Sequence, residues 1–391
     1  MYIWDYSEDK LIASGAIHTA AEIYRQPQVW RKVYESVAID KAQIKGFINT
    51  VLSEDNFQII LTGAGSSAFI GLSLKGSFLR NFGRHTSCVP TTDLVTHPDD
   101  FFNSHVPVLL VSFARSGNSP ESVAAITIAD NLCLKVFHLI ITCDATGKLA
   151  NVETSSLKYV FLLPPEANDQ SLAMTSSYSG MLLAGLLMTR IDEIDRLTGQ
   201  MELVNDYALK LLNHYYDDFR QIAAMDFHRA VFLGSGPQFG TATESHLKLQ
   251  ELTDGTIICK NDSFLGFRHG PKAVIDNHTV VFYLFSNQPY VFQYERDLAD
   301  SIHKSGKALY EAGILEIKDP EVNLNKEIIL SDNGSLLYED FLPVCNIIPA
   351  QMLGFFKSIK LGLSPDSPSV SGAISRVVQG VKIYPYSNHK S

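Results

Sequence analysis

Two stretches of this 391-residue chain open in the same way, and the spacing between them sets the architecture. FQIILTGAGSS (57–67) is an apolar, β-branched run that ends in glycine and serine and leads into the helical stretch AFIGLSLKGSFLRNF. AVFLGSGPQFG (230–240) has the same pattern, with Gly63 and Gly234 offset by 171 residues. That offset also lays VPVLLVSF (106–113) over NHTVVFYL (277–284). Two strands in register at one offset indicate duplicated domains. The strands are apolar throughout and alternate with helical segments such as SVAAITIADNLCL, which indicates parallel sheets covered by helices on both faces. VFHLIITC and YVFLLP add two more short strands to the first half. The expected fold class is α/β, and the length suits two such units.

Four regions are expected around this repeat. Residues 1–48 read as a helical arm, in which Pro27 starts a new helical segment because it lacks the donor a helix interior needs. Residues 49–200 form the first domain and 215–365 the second, linked by a polar helical segment near 195–225. FLPVCNIIPAQMLGFFKSIKLG closes the second domain as a buried helix, and 366–391 is a Pro/Ser-rich tail. The apolar runs Val108–Phe113 and Val136–Ile141 are strand-length, so no membrane span is expected, and MYIWDYSEDK has no secretion signal. The five cysteines are scattered without a CxxC pair, as in a reduced, cytoplasmic protein. A net charge of −10 disfavours nucleic acid and anionic membranes as partners, while leaving room for a locally positive site.

The first candidate site is ARSGNSPES (114–122). A Ser/Gly loop entering a helix after a parallel strand presents hydroxyls, free backbone N–H groups and the positive end of a helix dipole, which together suit phosphate. Gly117 allows close backbone approach, and Ser116 and Ser119 are placed to donate; Arg115 either adds charge or faces solvent. GAGSS (63–67) should lie beside this loop at the C-terminal ends of adjacent strands, where open α/β sheets bind ligands. It is not a dinucleotide fingerprint, and no GxxxxGK[ST] loop occurs. The matching loop of the second half, FSNQPY, has no Ser-Gly pair, so one phosphate site per chain is expected.

The second half offers TESHLKLQEL (243–252) instead. On a helix Glu244, Lys248 and Glu251 fall on one stripe. That spacing is also that of an ordinary surface ion pair worth about 0.2–0.5 kcal/mol, so the stripe alone leaves both readings open. FRHGPKAVID adds His269 in a compact turn before a strand. A carboxylate, an ammonium and an imidazole suffice for sugar ring opening and proton transfer.

Taken together, GAGSSAFIG, SGNSPES, PTTDLVTHP (90–98), AMTSS (173–177), ESHLKLQEL, FRHGP and SGAISRVVQGVKIYP resemble the double sugar-isomerase (SIS) domain proteins over nearly the whole chain. The nearest likeness is to the AgaS group of galactosamine-6-phosphate deaminases and tagatose-6-phosphate ketose/aldose isomerases. The resemblance implies two flavodoxin-like domains with parallel five-stranded sheets, a sugar-phosphate substrate, and neither cofactor nor metal. A more distant likeness, to the isomerase domain of glucosamine-6-phosphate synthase, implies phosphate binding at Ser66, Arg115, Ser116 and Ser119. A family phosphate-loop serine falls at Ala114, and the lysine that follows the family's serine-threonine pair falls at Ser176. By the same match Glu251 is the proton shuttle, Lys248 and Glu244 its helix companions, and His269 a ring-opening group donated across a subunit interface. That last role implies a homodimer or larger homo-oligomer. The family's C-terminal lysine falls near Arg376, which stays charged and forms no imine at ordinary pH. The chain opens on its helical arm without a glutamine-hydrolysing domain, so ammonia release, or no ammonia at all, is the expected direction.

Overall fold

The two repeats fold into two five-stranded parallel sheets of the same topology. The computed structural model describes residues 2–377 and 380–386, so Val378 and Gln379 of the tail motif lie outside the described residues. A small antiparallel hairpin, β1 (Tyr2–Ile3) and β2 (Tyr6–Ser7), precedes an arm of four helices: α1 (Glu8–Ala13), α2 (Ile17–Tyr24), α3 (Gln26–Ile39) and α4 (Lys41–Leu52). The hairpin departs from the expected all-helical arm. Pro27 stands in the first turn of α3, where its missing N–H leaves no intrahelical bond unmade.

The first domain contains β3 (Gln58–Thr62), α5 (Ser66–Phe82), β4 (Thr86–Cys88), α6 (Thr91–Thr96), β5 (Val108–Ala114), α7 (Pro120–Leu132), β6 (Val136–Thr142), β7 (Leu157–Leu162) and α8 (Ser176–Thr189). Helices α9 (Thr198–His214) and α10 (Tyr216–Ala224) link it to the second. There β8 (Arg229–Gly234), α11 (Gln238–Leu252), β9 (Ile258–Asp262), α12 (Phe264–Phe267), β10 (Thr279–Leu284), α13 (Pro289–His303), β11 (Tyr310–Leu315) and β12 (Lys326–Ile329) are followed by α14 (Leu342–Asn346) and α15 (Ile348–Lys360). The spatial orders are β4-β3-β5-β6-β7 and β9-β8-β10-β11-β12. Even the register repeats: Gln58 pairs with Val108, and Arg229 with Thr279.

Burial explains which strands lie inside. β5, β6 and β10 are buried at each residue, as their unbroken apolar runs require, whereas the edge strand β7 exposes Leu157, Lys158 and Leu162. Gly63 and Gly234 permit the abrupt turn from strand into helix. A Cβ at Gly63 would lie 2.6 Å from the Ser67 carbonyl carbon, and one at Gly234 would lie 2.8 Å from that of Gln238.

Three features bear on the site. The arm is not an appendage, since Ile23, Val29, Trp30, Val33 and Val37 belong to the main hydrophobic cluster and Trp30 Nε1 donates to Ser179 Oγ at 2.9 Å. The helical run Glu339–Lys360 is 22 residues long and apolar enough by length and composition to cross a membrane, but 94% of its apolar window is buried in this protein's own core. Lastly, α5 and α11, the first helix of each half, cross almost backbone to backbone. A Cβ on Gly240 would sit 2.6 Å from Ser73 N and 2.7 Å from the Phe69 carbonyl oxygen.

Gly240→Ala should therefore destabilise the protein by about 1–3 kcal/mol through overpacking. Gly46→Ala, at an exposed α4 position whose Cβ meets nothing within 4 Å, should stabilise it by about 0.5–1 kcal/mol through helix propensity. Calorimetric melting of the two variants checks the pair, and a Gly240→Ala protein that melts no lower than wild type contradicts the close crossing.

Candidate active site

The α5–α11 crossing carries residues of the second half to the loops of the first. A cavity of about 350 Å³ opens at the C-terminal ends of β3 and β5, lined by Ser66, Ser67, Arg115, Ser116, Ser119 and Ser122, by Lys248 and Glu251, and by Ala373–Val377 of the tail. Leu172 and Met174 complete the wall, the Met174 sulfur lying 3.9 Å from the Ser67 hydroxyl. Seven of the nine residues singled out in the sequence thus meet in one cavity: Ser66, Arg115, Ser116, Ser119, Lys248, Glu251 and Arg376.

The other two stand elsewhere. Glu244 is fully buried and does not line the cavity; its Oε1 lies 3.3 Å from Lys248 Nζ. His269 is exposed in the turn after α12 and does not line it either.

Helix spacing places Glu244, Lys248 and Glu251 on one stripe, and the crossing with α5 buries it. Lys248 is 0% exposed and its Nζ lies 2.6 Å from Glu251 Oε2, so this is no surface ion pair. Burial, the largest influence on Lys248, lowers its affinity for a proton. The Glu244 and Glu251 carboxylates outweigh it and hold the ammonium above its ordinary value. Burial also pushes the Glu244 carboxyl up to about 7, opposed by the Lys248 ammonium and reinforced by Glu251. The cavity therefore holds an ammonium beside the Glu251 carboxylate, with a second, proton-avid carboxyl behind.

Arg115 is buried, and its guanidinium faces protein carbonyls. Nη1 donates to Ser171 O at 3.3 Å and Leu172 O at 3.1 Å, and Nη2 donates to Arg376 O. Arg376 holds the same segment with its own guanidinium, Nε donating to Asp169 O at 3.0 Å and Nη2 to Asn168 Oδ1 at 3.1 Å. These two arginines tie the tail to segment 168–175. The serine hydroxyls and the starts of α5 and α7 also face the cavity, and such groups suit an anion.

Two buried carboxylates behind this wall escaped the sequence reading. Asp169 accepts from the backbone N–H of Thr175, Ser176 and Ser177 at 2.8, 3.1 and 2.9 Å, capping α8. Glu22, from α2, accepts from Gln170 N–H at 2.5 Å and from the Ser171 hydroxyl. The only available signal was the short polar segment NDQS ahead of the AMTSS motif.

The equivalent place in the second half has the opposite polarity. Ser286 N–H donates to Glu295 Oε2 at 2.7 Å and its hydroxyl donates to Glu339, so carboxylates occupy the donors of this loop. The adjoining cavity of about 320 Å³ is walled by Phe285, Phe292, Leu315 and Leu336. The Ser286 donors that would face an anion are already taken.

An SIS domain matches residues 52–190, and the second sheet repeats its topology, so the chain belongs to the class of proteins built from two SIS-type α/β domains. A D-galactosamine-6-phosphate deaminase AgaS from Shewanella sp. (strain ANA-3) is 38% identical over 384 residues, covering 97% of this chain and 95% of the relative. A crystal structure from Clostridium novyi NT superimposes with a TM-score of 0.96 at 37% identity, covering 99% of this chain and 100% of that one. The tagatose-6-phosphate ketose/aldose isomerase of Escherichia coli gives a TM-score of 0.85 at 34% identity, covering 95% of this chain and 97% of its own. The chain is a member of the D-galactosamine-6-phosphate deaminase AgaS family.

The carboxylate that fills the second-half loop makes stability depend on pH. Burial raises Glu295 from 4.5 to about 7, so between these values the folded state binds more protons than the unfolded one. This group's contribution then falls as pH rises through the window. Glu295→Gln should consequently gain melting temperature relative to wild type on going from pH 5 to pH 7.5, and parallel melting curves would contradict the assignment.

Proposed function

We propose that this protein catalyses the deaminating isomerisation of an amino-sugar 6-phosphate, D-galactosamine 6-phosphate first, to tagatose 6-phosphate and ammonia. What supports this reading is the convergence of the serine loops and the Lys248–Glu251 pair on one cavity of about 350 Å³. The 6-phosphate binds Ser66, Ser116 and Ser119 and the helix starts beneath them. Glu251 takes the proton from C2 of the open-chain aldehyde, forming an enolamine, and returns it to C1. Water then adds to the resulting C2 imine, the C–N bond breaks, and ammonia leaves as the ketose forms. Lys248 neutralises the oxyanion that develops at O1, at short range and shielded from water, where charge stabilisation is strongest. Glu244 behind it keeps the ammonium charged.

Ring opening falls to His269 of a neighbouring subunit, because in its own chain this exposed side chain stands outside the cavity. The working enzyme is thus a homodimer or larger homo-oligomer, placed in the cytoplasm with five free cysteines. The name of the Escherichia coli structure supports a second reading, aldose–ketose isomerisation of a hexose 6-phosphate without loss of nitrogen.

Incubation with galactosamine 6-phosphate should release ammonia and ketose phosphate in equal amounts. Ketose from a non-amino sugar alone would favour the second reading. Glu251→Gln should lower kcat by about 10²–10⁴-fold with substrate affinity retained, and near wild-type turnover would remove Glu251 from its role. Mixing Glu251→Gln with His269→Ala subunits should restore activity that neither variant has alone; no recovery in mixed oligomers would count against donation between subunits.

A further inference from the structure

We propose that Glu22, on the arm helix α2, is a positioning residue that shapes the substrate cavity through segment 168–175. The inference rests on reading that cavity as the sugar-phosphate site. Segment 168–175 contributes Leu172 and Met174 to the cavity wall, yet its middle lies outside helix and strand and needs partners from elsewhere. Glu22 supplies them. Its Oε1 accepts from the N–H groups of Gln170 at 2.5 Å and Ser171 at 3.3 Å, and its Oε2 accepts from the Ser171 hydroxyl. The next bonds run straight to the site: the Ser171 and Leu172 carbonyls accept from Arg115 Nη1, and Arg115 Nη2 reaches the Arg376 carbonyl in the tail wall. Leu172 N–H is held from the other side by Asp366 O at 3.0 Å. One carboxylate thereby fixes a loop, an arginine and a strip of tail that face the same cavity.

A purely structural role is a poor account of the choice of residue. Glu22 is 1% exposed, and a buried carboxylate costs stability that an apolar side chain would not. Burial and the Asp169 carboxylate push its carboxyl up to about 7, against the Ser171 and Gln170 bonds and Arg25 at 3.9 Å. A single group that accepts from two backbone amides and a hydroxyl at once is the use to which a carboxylate is suited here.

The test separates binding from chemistry. Glu22→Gln keeps an acceptor oxygen for the amides and should stay within about threefold of wild type in KM and kcat. Glu22→Asp, one methylene too short to span both amides, and Glu22→Ala should raise KM about tenfold or more with kcat within about threefold. The calorimetric Kd for tagatose 6-phosphate should rise in parallel. Glu22→Asp serves where the alanine variant does not fold. Unchanged Kd and KM in a folded Glu22→Asp protein, or loss of kcat at constant Kd, overturns the proposal. Calorimetry reads binding without turnover, so a wild-type protein that holds the sugar phosphate but releases no ammonia refutes the deaminase reading and leaves this test intact.

Discussion

The close crossing of α5 and α11 is the constraint on which the rest of the molecule depends. With Gly240 against the backbone of Phe69 and Ser73, no side chain separates the helices. The stripe on α11 is therefore buried against the first half and ends at its serine loops. An ion pair that would be screened in water is, in this setting, shielded from solvent. Lys248 is fixed between two carboxylates, and the carboxylate nearer the cavity is the one with access to a ligand.

Duplication supplied two equivalent loops, and the structure shows how differently they are used. Ser116 and Ser119 face an open cavity at the C-terminal edge of the first sheet. At the same place in the second sheet, Glu295 and Glu339 bind Ser286 from within. The first half leaves the hydroxyls of its turn facing the cavity, and the second satisfies its own turn internally. Its first helix, α11, is what it contributes to the cavity, through Lys248 and Glu251.

How much of this was readable in advance depends on the range of the interactions. The sheets were legible because buried parallel strands are unbroken apolar runs, and the 171-residue offset survives even in the pairing register. The serine loop after β5 was legible as a strand-to-helix turn because it is local. The burial of Lys248 was not, since i,i+4 spacing looks the same on an exposed face as on a buried one. Arg115 read as an added charge or a solvent-facing side chain, and only the fold shows its donors turned toward three carbonyls. Glu22 and Asp169 were missed because segment 168–175 has no periodicity and the arm that meets it lies 148 residues away. The arm itself read as helical, yet nothing in its spacing revealed that Trp30 and Val33 sit in the main core.

The joining of arm and tail has a consequence for the order of folding. Asp366 accepts from Thr19 N–H across 347 residues of chain, and Arg115 reaches the Arg376 carbonyl across 261. Contacts at such separation carry the largest loop-closure entropy and form after the local β-α units have condensed. A refolding chain should regain its sheets well before its tail wall is seated. Recovery of turnover would then lag behind recovery of secondary structure, and the late phase would report the clasp between the chain's two ends.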